Sequence, residues 1–410
     1  MPATRNPMSE QELLDRMQRV AEGFRPAAPI DRRSLFSGRA EQISEIFSVV
    51  AQPGQHAVIY GERGVGKTSL AAVSAELLEG ANVLTARATC DVSDDFASIW
   101  RKALAEVGFR TRRQGVGFAP AHEEKLETGA AALGNGNVTP DAVRTVLQRM
   151  GRHQKVAIFI DEFDRLRDPE AGVLFADTIK AMSDRVVPAT LFLIGVADSV
   201  AGLIREHRSI ERALVQIHMP RMSREELAEI ATSGLSSARM TIAPTALNKV
   251  TSVSQGLPHY TQLLTQLAAR SALADHRAGV GARDVDAAVE RAVARAQGSV
   301  VDAYRQATAA KGDAIYPQVL LACALANEDE FGFFGSAEVS EPLSKILGRE
   351  MTPLAFARHL DRMSDESRGA ILQKHGDAGG RRYRFENPLL QPYVLMRGLS
   401  EGAVRFKDLG

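Results

Sequence analysis

The residues with the most specific chemical pattern are Gly61-Glu62-Arg63-Gly64-Val65-Gly66-Lys67-Thr68, followed by Ser69. They match G-x-x-x-x-G-K followed by Ser or Thr, between an apolar run that predicts a strand (56–60) and one that predicts a helix (67–78). The backbone N–H groups of such a loop can surround a phosphate only if side chains do not obstruct them, which explains the glycines. Lys67 would then contact the β- and γ-phosphates, and the Thr68 hydroxyl would ligate Mg²⁺. The pattern predicts a nucleotide site at residues 61–69.

A second chemical pattern follows some hundred residues later, where the apolar run 156–160 ends in Asp161 and Glu162. At the tip of a buried strand, Asp161 would hold Mg²⁺ through its water shell and Glu162 would orient and deprotonate the attacking water. The other interpretation is a helix start with acidic residues. Together with the phosphate loop, the acidic pair favours hydrolysis over binding alone. A guanine-specifying N-K-x-D is missing from the sequence, so the expected cofactors are ATP and Mg²⁺.

The elements that must position these residues alternate between helices and short, continuously apolar strands. This alternation predicts an α/β domain with a buried parallel sheet flanked by helices. The predicted helices are 39–51, 67–78, 94–107 and 140–150, and the predicted strands are 56–60, 83–86, 156–160 and 190–196. Residues 110–139, rich in small residues, show no clear period and predict a mobile insertion without regular structure.

The sequence pattern outside the predicted α/β domain is mostly helical. An N-terminal helix (10–22) precedes an extended segment, and helices 224–234, 244–254, 258–273 and 282–296 predict a helical lid in which strands have stopped. Helices 315–325, 336–346 and 353–364, followed by strands 370–373 and 382–385, predict a winged helix. The predicted domains are therefore 1–34 (helix and linker), 35–222 (P-loop α/β domain), 223–297 (lid) and 298–410 (winged-helix-like).

Composition limits the classes of function. The 410 residues carry 50 basic and 50 acidic side chains, so any nucleic acid must be met by a local patch. The two cysteines, Cys90 and Cys323, lack the spacing of a zinc site and are predicted to be reduced. The longest apolar stretch, 189–197, is shorter than the ~20 residues that span a bilayer. With a polar start that is unlike a signal peptide, we expect a cytoplasmic protein with no membrane partner.

Taken together, these residues resemble the AAA+ ATPases, and among them the origin-recognition and initiator-like clade, which includes bacterial ATPases of transposition and defence systems. The resemblance covers 35–296 and extends through the tail to the clade's C-terminal winged helix. Phe36-Ser37-Gly38-Arg39 looks like the entry box before the helix that lies against adenine, which implies that Gly38 and Arg39 contact the nucleotide.

The same resemblance assigns three further residues. Asp198 stands where the family has the polar "sensor 1" residue, more often Asn, Ser or Thr. Arg212 falls at the place of an arginine finger, which would reach the γ-phosphate in a neighbouring subunit, so catalysis would need an oligomer. The alternative is that Arg208 and Arg212 are solvated helix residues.

Gly256-Leu257-Pro258-His259 is similar to the family's second sensor, G-x-P-R, with His259 in place of arginine. Histidine is mostly neutral at pH 7, so the Pro258 contact to adenine is expected to persist while the charge contact weakens. This departure is also similar to signalling ATPases of the STAND group.

The tail carries a concentration of cations around its predicted hairpin and third helix. A cationic wing beside a cationic helix is what contact with the phosphates of double-stranded DNA requires, although winged helices also dock proteins or neighbouring subunits. The predicted nucleic-acid contacts are Arg358, Arg362, Lys374, Arg381, Arg382 and Arg384.

The leading hypothesis is a slow or partner-stimulated AAA+ ATPase that assembles into a homo-oligomeric ring or filament. Its nucleotide state would control a DNA-bound or defence-type assembly, with DNA or a separate effector protein as partner. The alternatives are a STAND-like switch that holds nucleotide as a monomer and a winged-helix transcription regulator that senses ATP.

Overall fold

The structure, a computed structural model, describes residues 8–26, 38–113, 123–134, 136–197, 203, 210–309, 315–376 and 380–409. These residues fall into two compact units. The first unit consists of the described parts of Pro29–Glu62 and Gly66–Met219. The second unit consists of the described parts of Met1–Ala28, Arg63–Val65 and Pro220–Gly410. The second unit begins with helix α1 (Glu10–Gly23), where the Ser9 side chain accepts a hydrogen bond from the Glu12 N–H.

A parallel sheet forms the centre of the first unit. The strands of this unit are β1 (His56–Gly61), β2 (Leu84–Thr89), β3 (Gly108–Arg113), β4 (Glu123–Thr128), β5 (Val156–Asp161), β6 (Ala189–Val196) and β7 (Leu214–His218). Five of them are parallel, in the order β2-β5-β6-β1-β7. Every residue of β5 is buried, which explains its unbroken apolar sequence. The order places β6 between the strand that leads into the phosphate loop and the strand that ends in Asp161.

The helices of this unit are α2 (Ala40–Ala51), α3 (Lys67–Gly80), α4 (Phe96–Leu104), α5 (Gly129–Leu133), α6 (Pro140–Met150) and α7 (Pro169–Asp184). Trp100 is fully buried, stacked on Phe175 at 5.8 Å between ring centroids. Helix α7 was not predicted; it begins after Asp168, whose side chain accepts a hydrogen bond from the Glu170 N–H. The parallel α/β fold itself is confirmed.

The prediction that residues 110–139 lack regular structure is wrong for the described part. Strands β3 and β4 form an antiparallel pair in which Gly108 is opposite Thr128 and Arg113 is opposite Glu123, and helix α5 follows directly. Neither strand sequence alternates between apolar and polar residues, so the pattern of one segment could not reveal a pairing that depends on both.

The second unit continues with helices α8 (Arg224–Ser237), α9 (Pro244–Ser254), α10 (Pro258–Ala274) and α11 (Ala282–Ala294), close to the predicted lid helices. Strands were predicted to end before this region, but β8 (Thr241–Ile242) and β9 (Gly279–Val280) form a short parallel pair. Two residues per strand are too few to give a periodic signal.

The last part of the second unit contains helices α12 (Gly298–Thr308), α13 (Tyr316–Leu325), α14 (Ser336–Leu347), α15 (Pro353–Met363) and α16 (Leu390–Ser400). Strands β10 (Phe334–Gly335), β11 (Leu372–His375) and β12 (Arg382–Phe385) form an antiparallel sheet in the order β10-β12-β11. The predicted hairpin is therefore present, with β10 as an additional strand. No helix in the described ranges is long and apolar enough to cross a membrane.

Candidate nucleotide site

The phosphate loop connects the end of β1 to the start of α3. Gly64 and Gly66 have φ angles of +91° and +98°. Residues other than glycine adopt this left-handed conformation only with strain. Gly66 is also the N-cap of α3. The loop therefore directs the N-terminal dipole end of a 14-residue helix toward the space where a phosphate would bind.

Lys67, the first residue of α3, is buried beneath this loop. Its Nζ donates hydrogen bonds to the carbonyl oxygens of Gly61 at 2.9 Å and Glu62 at 2.7 Å. The ammonium group is thus held by the backbone of the loop itself. A phosphate in the loop would offer charged acceptors at the same position, and hydrogen bonds to charged acceptors are stronger.

Asp161 lies at the carboxyl end of β5 and is buried. Burial raises the pKa of its carboxyl group above the ordinary value, and the nearby Thr68 side chain opposes this rise. The Glu162 N–H donates to Asp161 Oδ1 at 2.8 Å. The structure therefore brings Thr68 and Asp161 together and places Glu162 directly beside them.

These residues fit Mg²⁺ by the chemistry of their donors. The Thr68 hydroxyl and the Asp161 carboxylate supply oxygen atoms only, which hard divalent cations prefer. Their side chains lie close enough to interact, so both oxygens would be available to one small ion. The Lys67 charge also acts on the Asp161 carboxyl group and opposes the rise in its pKa.

Glu162 adopts an unusual backbone conformation, with a φ angle of +53°. It precedes a short 3-10 turn, Phe163–Arg165, and its carboxylate forms an ion pair with Arg165 at 2.6 Å. Both side chains are nearly half exposed, so the pair contributes little to stability. Sequence reasoning missed Arg165, although its spacing of three residues from Glu162 was a usable signal.

Other predicted residues of the first unit are described in part. Gly38 precedes Arg39, which is buried and forms the N-cap of α2 with a φ angle of +62°. Arg212 is exposed on the short turn Glu211–Ala213, immediately before β7. Asp198 and Arg208 lie outside the described residues.

In the second unit, Pro258 is the buried first residue of α10, and His259 follows it. His259 Nδ1 lies 2.8 Å from the Pro26 carbonyl oxygen, which can only accept, so the nitrogen carries the proton. Burial lowers the pKa of this imidazole, which therefore stays neutral at pH 7.

Three of the six cations of the predicted nucleic-acid surface form ion pairs within the second unit. The Asp361 carboxylate of α15 forms an ion pair with the Arg381 guanidinium group at 2.8 Å, and its Oδ1 lies 3.5 Å from Lys374 Nζ. Arg382 forms an ion pair with Asp329 at 2.9 Å. Sequence reasoning selected these side chains by their charge and did not foresee the acids opposite them.

The other three predicted cations differ from one another. Arg384 donates to Gln373 Oε1 at 2.6 Å and lies over the Phe333 ring. Arg362 Nη1 donates to the Tyr316 hydroxyl at 3.1 Å. Arg358 is exposed on α15 and forms no ion pair with any described residue.

Comparison with known proteins gives one family and one fold. Residues 35–192 match the family described as AAA ATPase domain. Comparison with curated proteins finds no match. A Walker-type ATPase of Pyrococcus abyssi is similar in fold, at 13% identity and a TM-score of 0.50, over 90% of this chain and 98% of that one.

Two further solved structures are similar over most of their length. The ORC2 protein of Aeropyrum pernix, solved as ADPNP and ADP complexes, matches at 13% identity over 91% of this chain and 96% of its own, with a TM-score of 0.48. Cdc6p of Pyrobaculum aerophilum matches at 12% identity over 94% of this chain and 99% of its own, with a TM-score of 0.46.

The matched region contains the phosphate loop, Asp161 and Glu162, together with strands β1, β2 and β5. Residues 35–192 are therefore similar to an AAA ATPase domain, and the predicted P-loop fold with its parallel sheet is confirmed. The class chemistry of such a domain is the binding and hydrolysis of nucleotide.

Proposed function

We propose that this chain binds ATP with Mg²⁺ at residues 61–69 and hydrolyses it slowly, with Glu162 as the general base. The observation that supports this most directly is that the Thr68 side chain and the Lys67 charge both act on the Asp161 carboxyl group, because this joins the phosphate loop to the acidic end of β5. Two segments nearly a hundred residues apart in sequence thus meet where a phosphorylated ligand would bind.

Each residue has a distinct role in this proposal. Lys67 exchanges its two loop carbonyls for phosphate oxygens, and Thr68 and Asp161 hold the magnesium ion. When bound, Mg²⁺ neutralises part of the negative charge on the phosphate oxygens. Glu162 orients a water molecule and accepts its proton as the bond to the γ-phosphorus forms and ADP leaves.

A pair of substitutions with matched controls tests this proposal. Lys67→Ala is expected to abolish binding of a fluorescent ATP analogue, whereas Lys180→Ala, an exposed lysine of α7, is not. Glu162→Gln is expected to retain binding and lose phosphate release, whereas Glu170→Gln retains both. Normal turnover by Glu162→Gln contradicts the assignment of the base.

We also propose that the active form is a homo-oligomer in which Arg212 completes the site of a neighbouring subunit. Exposure of Arg212 on a surface turn supports this, because a residue that acts in trans must be accessible. Specific activity is expected to rise with protein concentration. Mixing in Arg212→Ala protein should lower wild-type activity more than simple dilution does, and Arg185→Ala should not.

The second candidate is a STAND-like switch that retains nucleotide as a monomer until a partner acts. The ion pair between Glu162 and Arg165 favours it, because a base held by a guanidinium group is not free to accept a proton. This candidate predicts purification with bound ADP, negligible basal turnover and no assembly on ATP addition. Mass photometry with ADP and with a non-hydrolysable ATP analogue separates the two candidates.

For partners, we propose that the last hundred residues form a winged-helix unit that contacts double-stranded DNA, through which nucleotide state controls an assembly. The order of helices and the three-stranded sheet support this unit. Arg358 is the best placed of the cations, since it is exposed and without an ion pair among described residues. Failure to bind duplex DNA at ~50 mM salt would leave an effector protein as the partner of this surface.

A further inference from the structure

The carboxyl end of strand β6 is hydrogen-bonded to a side chain of the turn after β5, and not to a neighbouring strand. The ladder between β5 and β6 ends at Ile160 and Leu193, whereas β6 continues to Val196. The Val196 N–H donates instead to Asp164 Oδ1 at 2.8 Å. A carboxylate from the turn after β5 thus supplies an acceptor where β5 itself has already left the sheet.

Gly195 provides an independent sign that this position is built for Asp164. A Cβ atom at Gly195 would lie 2.8 Å from Asp164 Oδ1, closer than real Cβ contacts allow, and 3.2 Å from the Asp164 backbone nitrogen, closer than most of them. The same atom would lie 2.5 Å from Leu203 Cδ2. A glycine at this point therefore leaves the space that the carboxylate and its turn occupy.

The turn that carries Asp164 also carries the proposed base. Glu162 precedes the turn Phe163–Arg165, and its carbonyl oxygen accepts the Arg165 N–H at 2.9 Å, which closes the turn. Only one residue therefore separates Asp164 from Glu162. If Asp164 is fixed to β6, the backbone of Glu162 is fixed as well.

Strand β6 in turn is registered with the strand that leads into the phosphate loop. Val196 is paired with Gly61, the first residue of the loop. The path from loop to base thus contains one strand pairing and one side-chain hydrogen bond. A shift of Asp164 would move Glu162 relative to the loop without changing the loop itself.

We infer that Asp164 is a positioning residue for hydrolysis, which sets the distance from Glu162 to the phosphate site by anchoring the turn to β6, with Gly195 as its steric counterpart. The inference rests on the proposed function of Glu162 as the base. Misplacement of a reacting group by about 1 Å can cost ~100-fold in rate. A single hydrogen bond at an exposed strand end contributes little to the stability of the fold, so the change in Tm should be small.

The experiment compares Asp164→Ala, Asp164→Asn and Gly195→Ala with wild type, measuring kcat, the Kd for ATP and the Tm. Asp164→Ala is expected to lower kcat by ~10- to 100-fold with the Kd for ATP within about twofold. Asparagine keeps an oxygen acceptor for the Val196 N–H and should restore most of the rate. Gly195→Ala should lower kcat in the same way, and Asp177→Ala, an exposed acid of α7, should change nothing.

A double variant links the effect to the base. Once Glu162 has been changed to glutamine, removal of Asp164 should cause little further loss, because there is no base left to misplace. Loss of ATP affinity and Tm in parallel with kcat, without rescue by asparagine, would overturn the inference in favour of a purely structural role. So would a wild-type rate in Asp164→Ala.

The two levels of proposal fail in different ways. If Glu162→Gln hydrolyses ATP normally, the proposed function is wrong. If Glu162→Gln is inactive while Asp164→Ala turns over at the wild-type rate, only the positioning role is wrong.

Discussion

The phosphate loop with the end of β5 and the cationic surface near the C-terminus were both predicted from sequence, but they differ in structure. In the first region, Thr68 and Asp161 are far apart in sequence and their side chains interact. In the second, Lys374 and Arg381 meet Asp361 within the same fold. The comparison teaches that a motif with backbone requirements predicts geometry, whereas a count of charges predicts only composition.

The physical cause of the difference is the number of constraints. The phosphate loop requires glycines with positive φ angles, a preceding buried strand and a following helix, so few arrangements satisfy it. A surface lysine or arginine satisfies its charge with any acid nearby, at a gain of only ~0–1 kcal/mol. The predictions below test whether this contrast extends to function.

The largest expected effect is on turnover. Glu162→Gln should lower the rate of phosphate release by ~100- to 10,000-fold, because a positioned base contributes about that much. Binding of ATP should be unchanged, since the amide is isosteric. Single-turnover measurements of phosphate release check this. A loss of rate below tenfold would mean that the sequence motif did not predict function in the first region any better than the charges did in the second.

The next largest effect concerns the pH dependence of stability in the first region. Burial lowers the pKa of His56, at the start of β1, to about 4 from about 6.5, and its Nδ1 accepts the Leu191 N–H at 3.0 Å. Because the folded pKa is lower than the unfolded one, the neutral ring contributes its full stability above about pH 6.5. That contribution, about 3 kcal/mol, is lost as the pH falls from 6.5 toward 4.

Urea titrations of wild type and His56→Asn between pH 4 and 7 measure this contribution. Asparagine retains a hydrogen-bond acceptor but does not titrate, so its free energy of unfolding should vary less with pH. His276→Asn, a change at an exposed histidine, should leave the wild-type slope in place. Equal slopes for all three proteins would exclude His56 as the source.

A smaller effect is expected on the C-terminal surface, where one unpaired and one paired cation can be compared. Arg358→Ala should weaken binding of duplex DNA by ~3- to 10-fold and reduce the salt dependence by about one phosphate contact. Arg382→Ala should change affinity less, because Asp329 already neutralises that guanidinium group. Fluorescence anisotropy at several salt concentrations measures both affinities. Equal losses of affinity in the two variants would mean that the ion pair with Asp329 does not decide whether a cation contacts DNA.

The converse change should strengthen binding. Asp361→Asn removes the acid that pairs Lys374 and Arg381, so both cations become available to phosphates. We expect a gain of about two- to fivefold in DNA affinity at low salt and a steeper salt dependence. Unchanged affinity would place the DNA contact elsewhere.

The smallest effect is expected from Arg165→Ala. The exposed ion pair with Glu162 is weak, so its loss should raise basal turnover by no more than about fivefold. Arg167→Ala, a nearby exposed arginine, is the matched control. A fall in turnover would instead mean that Arg165 holds Glu162 in a productive position.

The sequence by itself determined the parallel α/β fold, the phosphate loop and the acidic end of β5. It did so because unbroken apolar runs, glycine spacing and strand-to-helix order are local and obey strong steric and hydrogen-bonding rules. It also placed most helices of the second unit within a few residues of their observed ends, as for α9.

Only the tertiary structure decided which side chains meet. The pairing of β3 with β4 and the neutralisation of the C-terminal cations by Asp361 and Asp329 each depend on partners that no local period specifies. The same is true of Asp164, whose partner on β6 lies 32 residues away. Such contacts follow from how strands and turns are ordered in space, since the energy of one exposed pair is too small to impose a pattern on the sequence.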